Sequence, residues 1–465
     1  MSSSPQSQYI IQSAIFTADR LPGLDASEPV DIKGAIAELN IHESVELPYL
    51  TGSIALVDGV MFKGIFGIKG SERLEIAIAA DKNSKPVIKK FMITGIAKNV
   101  SANERTDVYV LTLMEEHAYA SSVIKISEAY TGKPEEIILN IFNSHLNKRL
   151  IYDAGFAKQQ RMKVNIPYWN PLHATEWLRD RMAAASGSPY FLYAAFRDDN
   201  IRLEDLETLL TRNAWNEDFP YSYSQTAHSI VPDKISPSQP RADLMHVKSF
   251  SADKVESTLR LAQSGAIGSE FKTMDVTSAS YVTNKNHDSK VTLNNFINKI
   301  DTNQDINSSI GYDHNLKIKN RDIGSLNSKV FSSVVSSSLF YEEDGKTPIA
   351  GYHEENKQEA LYKLKIKSAS LRAILLNNVF SITVPGQVYL VDDLDIGIGS
   401  TIALNYASPT QDEDILKIGD LNIDKDRSGK FLVYRTRHTF ITGEGTYNVK
   451  MDIVKLTDKT STGSV

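Results

Sequence analysis

Cysteine is absent from this chain of 465 residues. Its absence excludes disulfide scaffolds, thiolate zinc sites, iron–sulfur clusters and cysteine nucleophiles. A strong charge of one sign is also lacking, because 51 Lys and Arg residues against 57 Asp and Glu residues leave a net charge of −6. That charge is too small, and of the wrong sign, for a protein whose main task is to grip nucleic acid or an anionic membrane.

Long hydrophobic runs are missing too. Residues 1–13 contain no Lys or Arg and no continuous apolar core, so we expect no secretory signal and a chain that begins in the cytoplasm. The uncharged stretch 373–391 is interrupted by Asn377, Asn378 and the dipeptide Pro385-Gly386. A helix that spans a bilayer does not tolerate such interruptions. The sequence therefore predicts no membrane segment.

The motifs of common catalytic sites do not occur. There is no Gly-x-Ser-x-Gly elbow, Walker loop or Gly-x-Gly-x-x-Gly fingerprint. His42-Glu43 is followed by Glu46 where a zinc-binding helix needs a second histidine. Residues 301–305 and 422–426 carry calcium-loop side chains but lack the required glycine and glutamate, which indicates solvated turns. We predict no catalytic residue, no cofactor, no metal site and no enzyme activity.

Strand patterns dominate the first part of the chain, and helical patterns follow. Residues 74–79 alternate between apolar and polar side chains, and residues 91–100 and 108–114 indicate a long hairpin. These patterns predict a β-domain over residues 1–118. From Lys133 onward, apolar residues recur at helical spacing up to Leu146, which predicts an α/β domain over residues 119–215.

The second half of the chain has weaker patterns. Residues 216–353 are rich in proline, asparagine and serine, and we predict a loop-rich region that contains part of a second β-domain. Residues 354–465 begin with a helical pattern and continue with strand-like runs. We therefore predict a helix followed by the rest of the second β-domain.

An internal echo suggests that one β-unit is used twice. Residues 53–56 (Ser-Ile-Ala-Leu) match residues 401–404 (Thr-Ile-Ala-Leu), and each copy precedes a strand, a polar turn and a second strand. Phe91 and Phe431 open the two hairpins, and Tyr109 and Tyr447 begin the return strands. We predict that Phe91 superposes on Phe431 and Tyr109 on Tyr447. Any two β-hairpins can share such features, which is the alternative.

Several motifs of the first half resemble a known family. They lie at residues 41–45 (Ile-His-Glu-Ser-Val), 50–54 (Leu-Thr-Gly-Ser-Ile), 57–58 (Val-Asp), 68–74 (Ile-Lys-Gly-Ser-Glu-Arg-Leu), 130–146 and 166–206. They resemble the tube-like domains of baseplate hub proteins from contractile-tailed bacteriophages, an architecture shared by type VI secretion spikes. The resemblance covers roughly residues 30–215 and, through the hairpin echo, about 375–455. It implies a β-rich α+β fold, with two tube-like antiparallel β-barrel domains, an inserted α/β domain and a loop-rich extension.

The resemblance also implies a function. A hub of this kind is a structural homotrimer in the virion tail baseplate, assembled in the host cytoplasm. Its ring adapts the six-fold tail tube to the three-fold central spike, contacts other baseplate proteins and lets DNA pass without specific binding. It has no membrane insertion. Two alternatives stay open: a cell-wall glycosidase, which needs two carboxylates facing each other across a cleft, and a β-rich receptor-binding module.

One short apolar segment is a candidate contact between subunits. Phe62, Ile65 and Phe66 follow the turn at Asp58-Gly59 and place three apolar side chains within five residues. Contiguous exposed apolar side chains mark interfaces. We predict that these three residues contact a partner, with packing in the chain's own core as the alternative.

Overall fold

The structure of the protein is a computed structural model. It describes residues 9–18, 29–59, 62, 66–103, 106–152, 161–184, 186–223, 244–252, 257–276, 280–288, 316–326, 328–335, 340–341, 361–377, 379–391, 396–407, 423–424 and 427–455. Most regular structure is antiparallel sheet, with helices grouped between the strands. The predicted β-rich α+β fold is confirmed.

The first β-unit contains seven strands. They are β1 (Ile10–Thr17), β2 (Val30–Asp31), β3 (Ile36–Ser44), β4 (Thr51–Asp58), β5 (Arg73–Ala79), β6 (Val87–Asn103) and β7 (Thr106–Glu115). Their order in the sheet is β2-β1-β5-β6-β7-β4-β3, and all of these pairs are antiparallel. Side chains such as Leu74, Ile76 and Leu111 lie on the inner face and are buried, as the alternating pattern predicts.

The two ends of this sheet are joined by a very short piece of chain. β2 pairs with β1 at one end and β3 pairs with β4 at the other, yet only residues 32–35 separate β2 from β3. Such a connection spans at most about 18 Å. Ile32 donates its backbone N–H to Ala14 O at 2.8 Å and continues the β1 ladder toward β3. The sheet therefore curls so that its two ends approach each other, and we call this unit the first barrel.

An α/β region follows the first barrel. It contains α1 (Glu116–Val123), β8 (Ile126–Gly132), α2 (Pro134–Ile141), β9 (Leu150–Tyr152), β10 (Arg161–Trp169), α3 (Pro171–Arg179), β11 (Tyr190–Ala194), β12 (Ile201–Asp205) and α4 (Leu206–Thr211). α2 begins at a proline, and the Glu136 carboxylate accepts the Lys133 backbone N–H at 3.0 Å, which caps the helix. β8 pairs with β10, while β12 lies between β9 and β11.

The second β-unit is interrupted by a long excursion. It starts with β13 (Tyr221–Tyr223) and β14 (Ser249–Ala252) and ends with β21 (Val379–Pro385), β22 (Thr401–Tyr406), β23 (Gly429–Ile441) and β24 (Thr446–Val454). The excursion contains α5 (Thr258–Ser264), β15 (Gly268–Asp275), β16 (Ser280–Asp288), β17 (Lys317–Ile318), β18 (Arg321–Asp322), β19 (Lys329–Val335), β20 (Phe340–Tyr341) and α6 (Leu361–Leu375). β15 lies between β16 and β19 in a separate sheet, so part of the region predicted to be loop-rich is regular.

The second unit curls in a similar way, and we call it the second barrel. Its strand order is β13-β22-β23-β24-β21-β14. Ser222 of β13 donates its N–H to Met245 O at 3.0 Å and accepts the Val247 N–H at 2.9 Å, and the next residue, Lys248, donates to Thr383 O of β21 at 2.8 Å. The segment that leads into β14 thus hydrogen-bonds to both ends of the sheet.

The two barrels share one strand order. β1, β3, β4, β5, β6 and β7 correspond to β13, β14, β21, β22, β23 and β24, respectively. The β6–β7 and β23–β24 hairpins also have a register shift at the equivalent residue. Thr94 in β6 and Tyr434 in β23 are the extra residues at which the pairing with the next strand shifts. One strand differs, because β1 is antiparallel to β5 whereas β13 is parallel to β22.

This correspondence supports part of the predicted echo and corrects the rest. Phe91 pairs with Leu74 and Phe431 pairs with Ile402, so the two phenylalanines occupy equivalent positions. The match of residues 53–56 with 401–404 is wrong, since β22 corresponds to β5 and not to β4. We counted strand positions from the cross-strand pairs that precede the shared register shift. By this count Tyr109 corresponds to Val449, which lies two residues from Tyr447. Short alternating apolar motifs fit any half-buried strand, which explains the false match.

β23 links the two barrels into one sheet. Its first residues pair with β22, and residues 435–441 pair with residues 44–38 of β3. Eight strands consequently lie side by side in the order β14-β21-β24-β23-β3-β4-β7-β6.

Candidate assembly interface

The joint between the barrels has an apolar face and a polar face. Leu39, Ile41 and Phe440 are completely buried on the inner face. On the outer face, Asn40 accepts hydrogen bonds from Arg437 Nε and Thr439 Oγ1, both at 2.9 Å. Because side chains alternate along a strand, a slip of one residue would move the apolar set into water. The pattern therefore fixes the register of β3 on β23.

A buried polar cluster lies behind this joint. His438 Nε2 is 3.1 Å from Glu43 Oε1, and both side chains are only 1% exposed. His438 Nδ1 is 2.7 Å from the Tyr447 hydroxyl, and burial raises the pKa of that hydroxyl. This hydroxyl can therefore donate to Nδ1, and in that tautomer Nε2 faces Glu43 as the donor.

The cluster also connects the joint to the α/β region. Phe196 donates its backbone N–H to Glu43 Oε1 at 2.8 Å, and its ring lies 4.6 Å from the His438 ring. A carboxylate, an imidazole and a phenol in a row could relay a proton in an open cleft. Here burial keeps all three from a substrate, so the arrangement acts as a structural link between three parts of the chain.

A second polar link involves Glu46, in the turn between β3 and β4. Its carboxylate lies 3.3 Å from Arg179 of α3 and 3.5 Å from Arg372 of α6, and it accepts the Tyr434 hydroxyl at 2.6 Å. Burial, and then the Glu46 carboxylate, raise the pKa of Tyr434. One turn of the first barrel is therefore bonded to the α/β region, the excursion and the second barrel.

Two of the three predicted contact residues, Phe62 and Phe66, differ in how deeply they are buried. Phe62 is buried in the chain's own core, with its ring centre 4.8 Å from that of Phe16. Phe66 is half-buried, and its ring centre lies 4.6 Å from that of Phe62. Ile65 lies outside the described residues. Core packing thus accounts for Phe62, and a partner contact remains a prediction for Phe66 and Ile65.

The residues that link the barrels were not found by sequence reasoning. Glu43 and His438 are separated by 395 positions, and no local motif connects them. The sequence drew attention to His42-Glu43 as an incomplete metal motif and as part of the family motif at residues 41–45, but not as a link to His438. In the part of the chain that the structure describes, no group of three or more His, Asp or Glu side chains could hold a metal ion. Within the same residues, no helix is both long and apolar enough to cross a membrane.

Comparisons with known proteins return structures but no sequence match. Neither a family model nor a curated protein matches this chain. A tail protein from Neisseria meningitidis MC58 aligns with 96% of this chain and 97% of its own length, at 10% identity and a TM-score of 0.48. The 43 kDa tail protein of prophage MuSo2 from Shewanella oneidensis aligns with 95% of this chain and 98% of its own, at 10% identity and a TM-score of 0.47.

A type VI secretion component from Escherichia coli also matches. It covers 94% of this chain and 76% of its own length, at 8% identity and a TM-score of 0.41, and is described as structurally similar to phage T4 tail proteins. The structures named here are thus two tail proteins, one of them from a prophage, and one type VI secretion component, each with a TM-score below 0.5.

Proposed function

We propose that this protein is a structural baseplate hub of a contractile phage tail, located in the virion and assembled in the host cytoplasm. The observation that carries the proposal is the pair of barrels with one strand order, joined edge to edge within a single chain. Two similar units per chain suit a protein that must match two different symmetries.

The stoichiometry of the proposed ring is three. Three chains would supply six similar barrels, which fit a six-fold tail tube on one side, while the chains themselves fit a three-fold central spike on the other. A closed ring also covers sheet edges that are a liability when left open. Its partners would be the tail tube protein, the central spike protein and other baseplate proteins, the last contacted through the excursion after β14.

A channel for DNA is part of this proposal. The outer face of the row of eight strands is polar at the joint, with Arg437 and Glu38 both present 3.7 Å apart. A lining with charges of both signs, in a chain with net charge −6, suits passage of DNA without specific binding. Filter binding at moderate salt should show weak or no retention of duplex DNA, and a tight, steeply salt-dependent affinity would contradict the channel.

Native mass spectrometry and single-particle images of the purified chain test the ring. We expect three copies and a ring with six similar lobes around an opening, and a species of two or four copies would contradict the hub. Zymography on peptidoglycan tests the enzymatic alternative. Clearing that is abolished by a single Glu→Gln substitution would favour a cell-wall glycosidase, whereas we expect no clearing.

A further inference from the structure

The α/β region exposes an aromatic side chain at a strained backbone position. Tyr168 has a φ of 56°, in the left-handed region that residues with a Cβ atom rarely adopt. It is the extra residue at the register shift of β10, where pairing with β8 passes from Pro167 to Trp169. Its side chain is 70% exposed. A strained residue that holds a large ring in water is typical of a ligand-binding site.

Other aromatic rings follow Tyr168 directly. The ring centre of Trp169 lies 5.0 Å from that of His173 and 5.6 Å from that of Trp177, both on α3. His173 and Trp177 are four residues apart, so they share one face of this helix. Their ring planes are inclined at 70° and 61° to that of Trp169, and the three rings therefore do not form one closed stack. We call Tyr168, Trp169, His173 and Trp177 the aromatic cluster.

Neighbouring side chains hold the aromatic cluster in position. The guanidinium carbon of Arg181 lies 3.3 Å from the centre of the Trp177 ring, and Arg181 Nη1 donates to the Trp177 backbone oxygen at 3.0 Å. Just after β10, the Asn170 amide donates to Ser121 O at 2.9 Å and to Ser122 O at 3.2 Å, which anchors this end of the strand to α1. The protein itself therefore orients the rings.

The size of the exposed surface argues against a protein partner. Val123 and Tyr168 are 72% and 70% exposed, more than any other large apolar side chain in the described part of the chain. Val123 follows Ser122, which accepts the Asn170 amide, and so lies near the cluster. With the other rings they expose on the order of 400 Å², since a whole aromatic side chain offers about 150–250 Å². A stable protein interface takes about 800 Å² from each partner, so this area fits a ligand of a few rings.

The charges around the aromatic cluster argue against a nucleic acid. Each cationic group has an acidic neighbour, since Glu176 interacts electrostatically with His173, and Asp180 with Arg181. The cluster therefore lacks the excess of positive charge that binds a phosphate backbone. Aromatic rings without such an excess favour a neutral ligand that has apolar faces of its own.

We propose that the aromatic cluster binds a neutral β-1,4-linked glycan, with one sugar ring packed on Tyr168 and the next against Trp169 and His173. In such a chain the C–H bonds of each pyranose ring form two flat apolar faces, while the hydroxyl groups point outward along the edges. The apolar faces pack on the aromatic rings, and the Glu176 carboxylate and the His173 imidazole supply partners for the hydroxyls. This binding activity goes beyond the proposed structural role and does not depend on the trimer.

Tryptophan fluorescence of the full chain tests the glycan site, because two of the three tryptophans, Trp169 and Trp177, lie in the cluster. Titration with chitohexaose or cellohexaose should change the emission saturably, and calorimetry should give the same affinity. Trp215→Phe removes the third tryptophan and should keep the response. Maltohexaose, whose α-linkages curl the chain, should bind more weakly. If neither β-linked probe binds saturably, the glycan site is wrong and the proposed hub is unaffected.

Substitutions at Tyr168 separate a binding role from a structural one. Tyr168→Ala and Tyr168→Gly both remove the ring and should weaken binding about tenfold or more, whereas Tyr168→Phe keeps the apolar face and should bind like the original chain. Glycine adopts a positive φ without strain, so Tyr168→Gly should melt at a higher temperature than Tyr168→Ala. A residue with a purely structural role would not lose ligand while the chain gains stability.

Phe219→Ala is the matched control, because it removes an aromatic side chain that is 38% exposed and lies outside the cluster. It should leave the affinity for chitohexaose unchanged. Circular dichroism identifies the variants that are folded. Folded Tyr168→Ala or Tyr168→Gly chains that bind as tightly as the original would overturn the site. Saturable binding by a chain that native mass spectrometry shows to be monomeric would support the site and contradict the trimer.

Discussion

The two barrels reach the same strand order by different routes through the chain. The first is built from residues 10–115, and a turn of six residues connects β3 to β4. The second places more than one hundred residues between β14 and β21, the equivalent strands. The entropy of closing a loop grows only slowly with its length, so a surface turn accepts such an excursion. Strand pairing, and not chain length between strands, defines this unit.

The largest expected effect on the free energy of unfolding comes from substitutions at equivalent core positions of the two barrels. Phe91→Ala and Phe431→Ala each remove a ring that is at most 1% exposed, at matching positions. Each should lower the free energy of unfolding by about 3–5 kcal/mol. Thermal and chemical denaturation measure this, with Ile88→Ala, at a side chain 46% exposed, as the control. A neutral Phe431→Ala would break the equivalence.

The first barrel and the α/β region should differ in how their stability depends on pH. Burial raises the pKa of Glu135 in α2 to about 7. Well below pH 4.5 the Glu135 carboxyl is protonated in both the folded and the unfolded chain. As the pH rises to about 7, this carboxyl ionises readily only in the unfolded chain. Stability should therefore fall by about 3 kcal/mol across that range.

The variant Glu135→Gln should remove this fall, as denaturation between pH 4.5 and 8 measures. Glu75→Gln in the first barrel is the control, because that side chain is 45% exposed. It should leave the pH profile unchanged. An unchanged pH profile in Glu135→Gln would show that the stability of the α/β region depends on pH no more than that of the barrels.

The buried link at the joint should have a smaller effect. Glu43→Gln removes the charge that holds His438 and should lower the free energy of unfolding by about 1.5–3 kcal/mol. His42→Gln, one residue away with its side chain on the other face, should change it by less than about 0.5 kcal/mol. Equal effects of the two variants in thermal denaturation would contradict a specific role of Glu43.

The exposed part of the joint should contribute least. Arg437→Gln removes an ion pair with Glu38 whose side chains are 48% and 40% exposed, and it also removes the Nε hydrogen bond to Asn40, which keeps Thr439 as a donor. We expect a loss below about 1 kcal/mol, smaller still at high salt. Denaturation at low and high salt measures it. A loss as large as that of Glu43→Gln would mean that the outer face, and not the buried cluster, holds the barrels together.

Local patterns in the sequence predicted local structure well. The hairpin of β6 and β7 follows from alternation over residues 91–100 and 108–114, and α2 follows from proline, two acids and apolar residues at helical spacing. These elements depend on interactions between neighbours in the chain. The equivalence of Phe91 and Phe431 also emerged, because both open a long hairpin.

Contacts between distant segments could not be predicted in this way. Glu43 and His438 are polar residues on otherwise ordinary strands, and their burial follows only from the pairing of β3 with β23. The correspondence of β4 with β21 was missed because β21 lies after an excursion and carries no turn signal that matches β4. Pairing between strands that lie hundreds of residues apart produces no periodic pattern in a single sequence.

The late position of β23 has a consequence for synthesis on the ribosome. The first barrel is complete once Glu115 has emerged, but the strand that covers β3 begins at Gly429. At 5–20 residues per second, the edge of β3 waits roughly 15–60 s for its partner. During translation a nascent chain thus carries the open edge of β3, and neighbouring nascent chains on one messenger are the nearest competitors for it.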